Sequence, residues 1–312
     1  MRYQNILATI GHTPLVELRH LSPKPQVRIF AKLEGQNPTG SLKDRIALAM
    51  VEDGERRSEL TAGKLILEPS SGNTGISLAM VGRLKGYPIK IVMPENASVE
   101  RRQLLTLFGA EIDLSDGTKG SNGSIERAWE LIKGEPERYY MPYQYGNQAN
   151  PGAHYLTTAP EIVEDMPDLD VFVAGLGTGG TLMGVGRRLK EHNPKIRIIA
   201  VEPEQGDLVQ GLRSLEDGFI PPILDLDLLD GKIMCDSADA LRAERMLALS
   251  EGIFAGISSG AVIYGALRVA QQLDRGTIVA LLADGGWKYL STGLWAKAPE
   301  TFAEDMAGKL WW

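Results

Sequence analysis

Seven short apolar runs, nearly uninterrupted by polar residues, alternate with amphipathic stretches along almost the whole chain. The runs are "VRIFAKL" (27–33), "KLILEP" (64–69), "IKIVMP" (89–94), "AEIDLS" (110–115), "DVFVAGLG" (170–177), "IRIIAVE" (196–202) and "TIVALLAD" (277–284). The stretches between them lie near 42–57, 73–86, 98–108, 121–134, 180–192, 237–251 and 258–274. A strand that is apolar on both faces must be covered on both faces, as parallel strands flanked by helices are. The pattern therefore predicts an α/β architecture with mostly parallel sheets and right-handed crossovers. Ligands in such sheets bind outside the carboxyl ends of the strands. With 312 residues the chain can form one large or two medium domains. A boundary is expected around 145–155, where "YQYGNQANPG" concentrates Gly, Asn and Pro. The segment "GFIPPILDLDLLDGK" (218–232) reads as a long loop near one edge.

Charge and composition narrow the partners. A net charge of −7 argues against nucleic acid or an anionic membrane as the main partner. Runs such as "TIVALLA" are far too short to cross a bilayer, and the start lacks the pattern of a secretory signal. A single cysteine, Cys235, leaves no intramolecular disulfide framework and fits a reducing cytoplasm. The histidines at 12, 20, 154 and 192 have no ligand spacing, so no metal site is expected. The apolar end, "KLWW", is expected to dock against the body of the protein or a partner.

Four stretches have the composition of chemical sites. In "EGQNPTGSLKDR" (34–45), Ser41 and Asp44 read as a capping box, which puts Lys43 in the first turn of a helix. The positive end of the helix dipole disfavours an ammonium there and favours a free, nucleophilic amine. In "EPSSGNTGISLAM" (68–80), Ser70, Ser71, Gly72, Asn73, Thr74 and Gly75 make a strand-to-helix turn suited to a carboxylate or phosphate. In "FVAGLGTGGTLMGVGRRL" (172–189), Gly177, Thr178, Gly179, Gly180 and Thr181 can wrap a phosphate. That stretch also holds G-x-G-x-x-G (Gly175, Gly177, Gly180), and Glu202 follows about twenty residues on, which keeps an NAD-binding reading open. In "FAGISSGAVIYGAL" (254–267), Ser258 and Ser259 open a helix, where a hydroxyl could meet a ring nitrogen.

Taken in order and spacing, N-P-T-G-S-L-K-D-R, S-S-G-N-T-G, Y-Q-Y-G-N-x-A-N, G-T-G-G-T and G-I-S-S-G-A resemble the cysteine synthase branch of fold type II pyridoxal-phosphate enzymes. The likeness runs from "GHTPLVEL" (11–18) to "KYLSTG" (288–293). It implies two doubly wound α/β domains of the tryptophan synthase β type, a larger one from 1–40 plus 146–312 and a smaller, mobile one from 41–145. It also implies that Lys43 holds pyridoxal 5′-phosphate as an imine. The cofactor phosphate would lie on Gly177, Thr178, Gly179, Gly180 and Thr181, its ring nitrogen against Ser258 and its ring oxygen against Asn73. The substrate carboxylate would lie on Ser70, Ser71 and Thr74, with Gln144 adding a donor. The activity implied is synthesis of cysteine by β-replacement on an activated serine, through an aminoacrylate intermediate, in a cytoplasmic homodimer.

"MPENASVERRQLL" (93–105), "GLRSLEDGF" (211–219), "DGGWKYLSTG" (284–293) and the terminal Leu-Trp are most similar to an O-phosphoserine sulfhydrylase subgroup. In that likeness Arg213 binds the substrate phosphate, as a guanidinium can through two parallel hydrogen bonds. The sulfur would come from sulfide or from a small thiocarboxylated carrier protein. The chain departs from the pattern at Asn147-Gln148-Ala149-Asn150, where many relatives have N-P-A-N, at Asp284-Gly285-Gly286, where a serine is common, and in its second terminal Trp. A cystathionine β-synthase-type reaction would use the same cofactor motifs.

Overall fold

The computed structural model describes residues 2–70, 72–207, 209–293 and 295. Its first half contains β1 (Leu15–Glu17), β2 (Val27–Leu33), α1 (Lys43–Arg56), β3 (Leu65–Pro69), α2 (Asn73–Lys85), β4 (Ile89–Pro94), α3 (Val99–Leu107), β5 (Glu111–Ser115), α4 (Gly120–Gly134) and β6 (Tyr139–Tyr140). The second contains α5 (Ala149–Ala153), α6 (Ala159–Asp165), β7 (Val171–Gly175), α7 (Gly180–His192), β8 (Arg197–Pro203), β9 (Gly231–Cys235), α8 (Ser237–Glu251), α9 (Ile257–Gln272) and β10 (Gly276–Leu282).

The strands form a six-stranded sheet in the order β1-β2-β10-β7-β8-β9 and a four-stranded sheet in the order β5-β4-β3-β6. Every pairing is parallel except β1 with β2. Apart from β5, whose Glu111 and Leu114 are exposed, the apolar runs have the predicted cause. Along β7, Val171 and Val173 face a core shared with Ala261, Val262 and Ala266 of α9, while Phe172 and Ala174 face one shared with Leu182, Met183 and Val185 of α7. On the smaller sheet, Ile66 packs towards Ile76 and Ala79 of α2, and Leu67 towards Ala128 of α4. Period-two alternation thus survives in direction but not in polarity, because both directions are buried. Among the described residues no helix is long and apolar enough to cross a membrane.

Three strands escape the sequence reading, and each is marginal. β1 and β6 are three and two residues long, and β9 is an edge strand that begins in the last two residues of the segment read as loop and runs on to Cys235. The stretch around 145–155 is also not a plain linker. It enters α5, which continues through a π-helical turn (His154–Thr158) into α6.

This helical segment packs tightly under α7. A Cβ on Gly184 would lie 2.1 Å from the Pro151 carbonyl oxygen, a backbone atom with little freedom to move. Gly184→Ala is therefore expected to lower unfolding free energy by about 1–3 kcal/mol in denaturant titration. Gly134→Ala, at a helix end with nothing within 4 Å, should leave it nearly unchanged.

Candidate active site

α1 begins at Lys43, but not through the predicted capping box. Its N-cap is Leu42, without a side-chain cap. Ser41 Oγ accepts from the Lys43 N–H at 3.3 Å, and Asp44 turns inward to accept from the Thr39 N–H at 2.7 Å and the Thr39 hydroxyl at 2.5 Å. Asp44 is fully buried, so its carboxylate serves the 39–44 turn rather than the helix end.

Two residues further on, Arg45 anchors the helix in a buried ionic cluster that the sequence reading missed. Its guanidinium donates to Glu34 at 2.8 and 2.9 Å and to Glu161 at 2.7 Å, and Lys32 Nζ reaches Glu161 at 2.7 Å. Buried ions of opposite sign satisfy one another here, which ties the start of α1 to β2 and α6.

The predicted residues converge. Lys43, Ser70, Asn73, Thr74, Gln144, Gly177, Thr178, Arg213 and Ser258 line one cavity of about 140 Å³. A smaller cavity of about 40 Å³ adjoins it, lined by Gly177, Thr178, Gly179, Gly180, Thr181, Ser258 and Lys43 among others. The sites lie beyond the carboxyl ends of β3, β7 and β10, where parallel sheets present ligands. Ser71 lies outside the described residues. Among residues not predicted, Arg101, Ser124, Tyr145 and Asp284 also line the larger cavity. A still larger cleft of about 890 Å³ runs between α1 and the 140–157 segment, and none of the predicted site residues lines it.

The Lys43 amine is brought down to about 8, chiefly by desolvation, with the Asp284 carboxylate acting in the opposite sense. The 70–75 turn is internally braced. Ser70 Oγ accepts from the N–H groups of Gly72 (3.4 Å) and Gly75 (3.1 Å), so its hydroxyl hydrogen remains available to donate. Thr74 donates to Gln144 Oε1 at 2.7 Å, which leaves the Gln144 amide nitrogen as a donor.

Gln144 is itself positioned by Glu68, a fully buried carboxyl that accepts from the N–H groups of Tyr143 (2.9 Å) and Gln144 (3.2 Å). Desolvation raises Glu68 to about 7 despite these bonds. A carboxyl whose folded value is raised contributes stability at acid pH that is lost as pH rises from the ordinary carboxylate range through about 7. Glu68→Gln should therefore flatten the fall in unfolding free energy across that window, measured by denaturant titration at successive pH values.

The glycine turn is clasped on every side. Gly179 has φ +86°, a conformation that disfavours side chains. A Cβ on Gly180 would lie 1.9 Å from Asn150 Oδ1. Thr178 Oγ1 accepts from Asn150 Nδ2 at 3.1 Å and from the Gly180 N–H at 3.3 Å. Thr181 meets Nε2 of the buried His154 at 3.3 Å, and burial keeps that imidazole neutral by pushing it well below its ordinary value. Glu202, the acidic residue of the dinucleotide reading, is fully buried. It accepts from Lys232 at 2.6 Å and from the Leu215 N–H at 3.1 Å, so it is committed to the protein.

Ser258 opens α9 with its hydroxyl unbonded among the described residues, and it lines both cavities. Arg213 stacks on two rings, at 4.8 Å from the centroid of Phe219 and 5.4 Å from that of Tyr145. Those rings meet edge to face at 5.5 Å. Among the described residues no carboxylate pairs with Arg213. A cation held by aromatic faces keeps its in-plane N–H donors free for a ligand.

Comparison with known proteins points the same way. The family model for pyridoxal-phosphate dependent enzymes matches residues 6–284. The cysteine synthase of Staphylococcus aureus (strain N315) is 45% identical over 302 residues, covering 94% of this chain and 97% of that protein. A solved cysteine synthase from Entamoeba histolytica superposes with a TM-score of 0.91 at 39% identity, covering 95% of this chain and 92% of the other. The structure of O-ureido-L-serine synthase superposes with a TM-score of 0.89 at 40% identity, covering 95% and 96%.

Proposed function

Because the chain belongs to the pyridoxal-phosphate-dependent enzymes and is a cysteine synthase homologue, we propose that its activated substrate is O-phosphoserine. Cysteine is formed by β-replacement with pyridoxal 5′-phosphate as the cofactor. The residues present suit that cofactor. A glycine turn at a helix start, closed to side chains, offers N–H groups to its phosphate. An unbonded serine hydroxyl and an amine brought to about 8 lie on the same cavity. Bound there, the cofactor supplies an electron sink for the substrate Cα.

In this reading Gly177, Thr178, Gly179, Gly180 and Thr181 hold the cofactor phosphate, Ser258 faces the ring nitrogen and Asn73 the ring oxygen. A neutral serine at the nitrogen, in place of a carboxylate, restrains the sink and suits elimination over free-carbanion chemistry. Ser70, Thr74 and Gln144 hold the substrate carboxylate, with Ser71 assigned to the same task from the resemblance alone. Lys43 is the attachment point and removes the Cα proton. Its low basicity leaves a large neutral fraction near pH 8, so one amine can take a proton and later return it.

Arg213 carries the choice of phosphoserine. It is an aromatic-held guanidinium on the wall of this cavity, with no carboxylate partner among the described residues. Its fork matches the phosphate dianion of O-phosphoserine far better than the neutral acetyl ester of O-acetylserine. The incoming sulfur is sulfide or a thiocarboxylate on a small carrier protein, both anionic nucleophiles. A cytoplasmic homodimer belongs to the same reading. So does a division into 1–40 plus 146–312 and 41–145, supported by a four-stranded sheet drawn wholly from residues 65–140. Titrating the holoenzyme with each serine ester while following the visible cofactor band tests the substrate. The band should change at far lower concentrations of O-phosphoserine than of O-acetylserine; the reverse order overturns the assignment.

A further inference from the structure

We propose that Lys288 is a positioning residue whose ammonium sets which way the Asn73 amide faces in the cofactor site. The inference rests on the reading above that Asn73 meets the cofactor ring. Lys288 lies in the 3₁₀ helix Gly286–Thr292, is 2% exposed, and sends Nζ to Asn73 Oδ1 at 2.6 Å. On the other side of the amide, Asn73 Nδ2 donates to Asp284 Oδ2 at 2.7 Å. The Tyr289 hydroxyl donates to the same carboxylate oxygen.

A lysine ammonium can only donate and a carboxylate can only accept, so this pair of neighbours admits one orientation of the amide. A flip would set NH₂ against ammonium and a carbonyl against carboxylate. The cost of burying Lys288 is met by a bond to a neutral amide, since among the described residues it forms no ion pair with a carboxylate. Desolvation brings its amine down to about 8, with Asp284 and Asp44 opposing the shift and Arg101 adding to it. Its Nζ lies over the Trp287 ring, 5.4 Å from the centroid. A lysine present only to fill space would be replaced by methionine at little cost. One that orients Asn73 would not, because the amide carbonyl would lose its buried donor and only the bond to Asp284 would be left to hold the amide in place.

Equilibrium dialysis of the holoenzyme, with the retained cofactor read from its visible band, tests this through Lys288→Met, Lys288→Arg, Asn73→Ala and the double variant Lys288→Met/Asn73→Ala. Lys288→Met should weaken cofactor retention about tenfold, the scale of one hydrogen bond to a charged group. Lys288→Arg should recover most of the loss. The double variant should be no weaker than Asn73→Ala alone, because Lys288 acts through Asn73. Losses that multiply in the double variant assign Lys288 a separate or purely structural role and overturn the inference. A weakened Asn73→Ala beside an unaltered Lys288→Met also overturns it, while leaving the Asn73 reading intact. An unaltered Asn73→Ala sinks both. Lys288→Gln replaces Lys288→Met in the same scheme if the latter does not fold.

Discussion

Lys43→Ala is expected to lower turnover by about 10⁴-fold or more while the protein still folds and still binds cofactor through the glycine turn. Two functions are lost with one amine, the covalent attachment and the proton shuttle at Cα. Folding should be spared because Lys43 is not what holds α1 in place; Arg45 does that through Glu34 and Glu161. Nor can Lys288 substitute, since its Nζ is bound to Asn73. Steady-state turnover and the visible spectrum of the variant check this. Retention of more than about a tenth of the activity would place the proton transfer on another group.

Arg213→Ala should reduce kcat/KM for O-phosphoserine by about 30- to 100-fold and that for O-acetylserine by no more than about threefold. The size follows from removing a charge-assisted hydrogen-bond pair of about 2–3 kcal/mol, at 1.4 kcal/mol per factor of ten. The asymmetry follows from charge, because the phosphate ester of the bound substrate is a dianion whereas the acetyl ester is neutral. Arg213→Lys should fall between, retaining the charge but losing the fork and its stacking on Tyr145 and Phe219. Equal losses for both esters would mean that Arg213 shapes the cavity and does not read the leaving group.

Much of this arrangement is legible before any coordinates are seen, for a physical reason. Strands covered on both faces leave an unbroken apolar signature, and β2, β3, β4, β7, β8 and β10 carry it. Turns that bind small anions need glycine and hydroxyl residues at a helix start, and those at 70–75 and 177–181 have both. What the reading loses is set by tertiary contact. β1, β6 and β9 are too short or too far to the edge to build a periodic signal. The capping box at Ser41 and Asp44 fails because Thr39, five residues before Asp44, claims its carboxylate. Glu202 has the dinucleotide spacing, yet Lys232 and Leu215 occupy it. Lys288 is separated from Asn73 by 215 residues, and no local pattern announces their bond.

The attachment of the cofactor is the claim on which the rest depends, and two lysines, Lys43 and the Asn73-bound Lys288, have amines brought to about 8 by desolvation. Borohydride reduction of the holoenzyme, followed by proteolysis and mass spectrometry, separates them. A phosphopyridoxyl mass increment confined to the peptide carrying Lys43 is the predicted result. An increment on Lys288, or on neither lysine, contradicts the account.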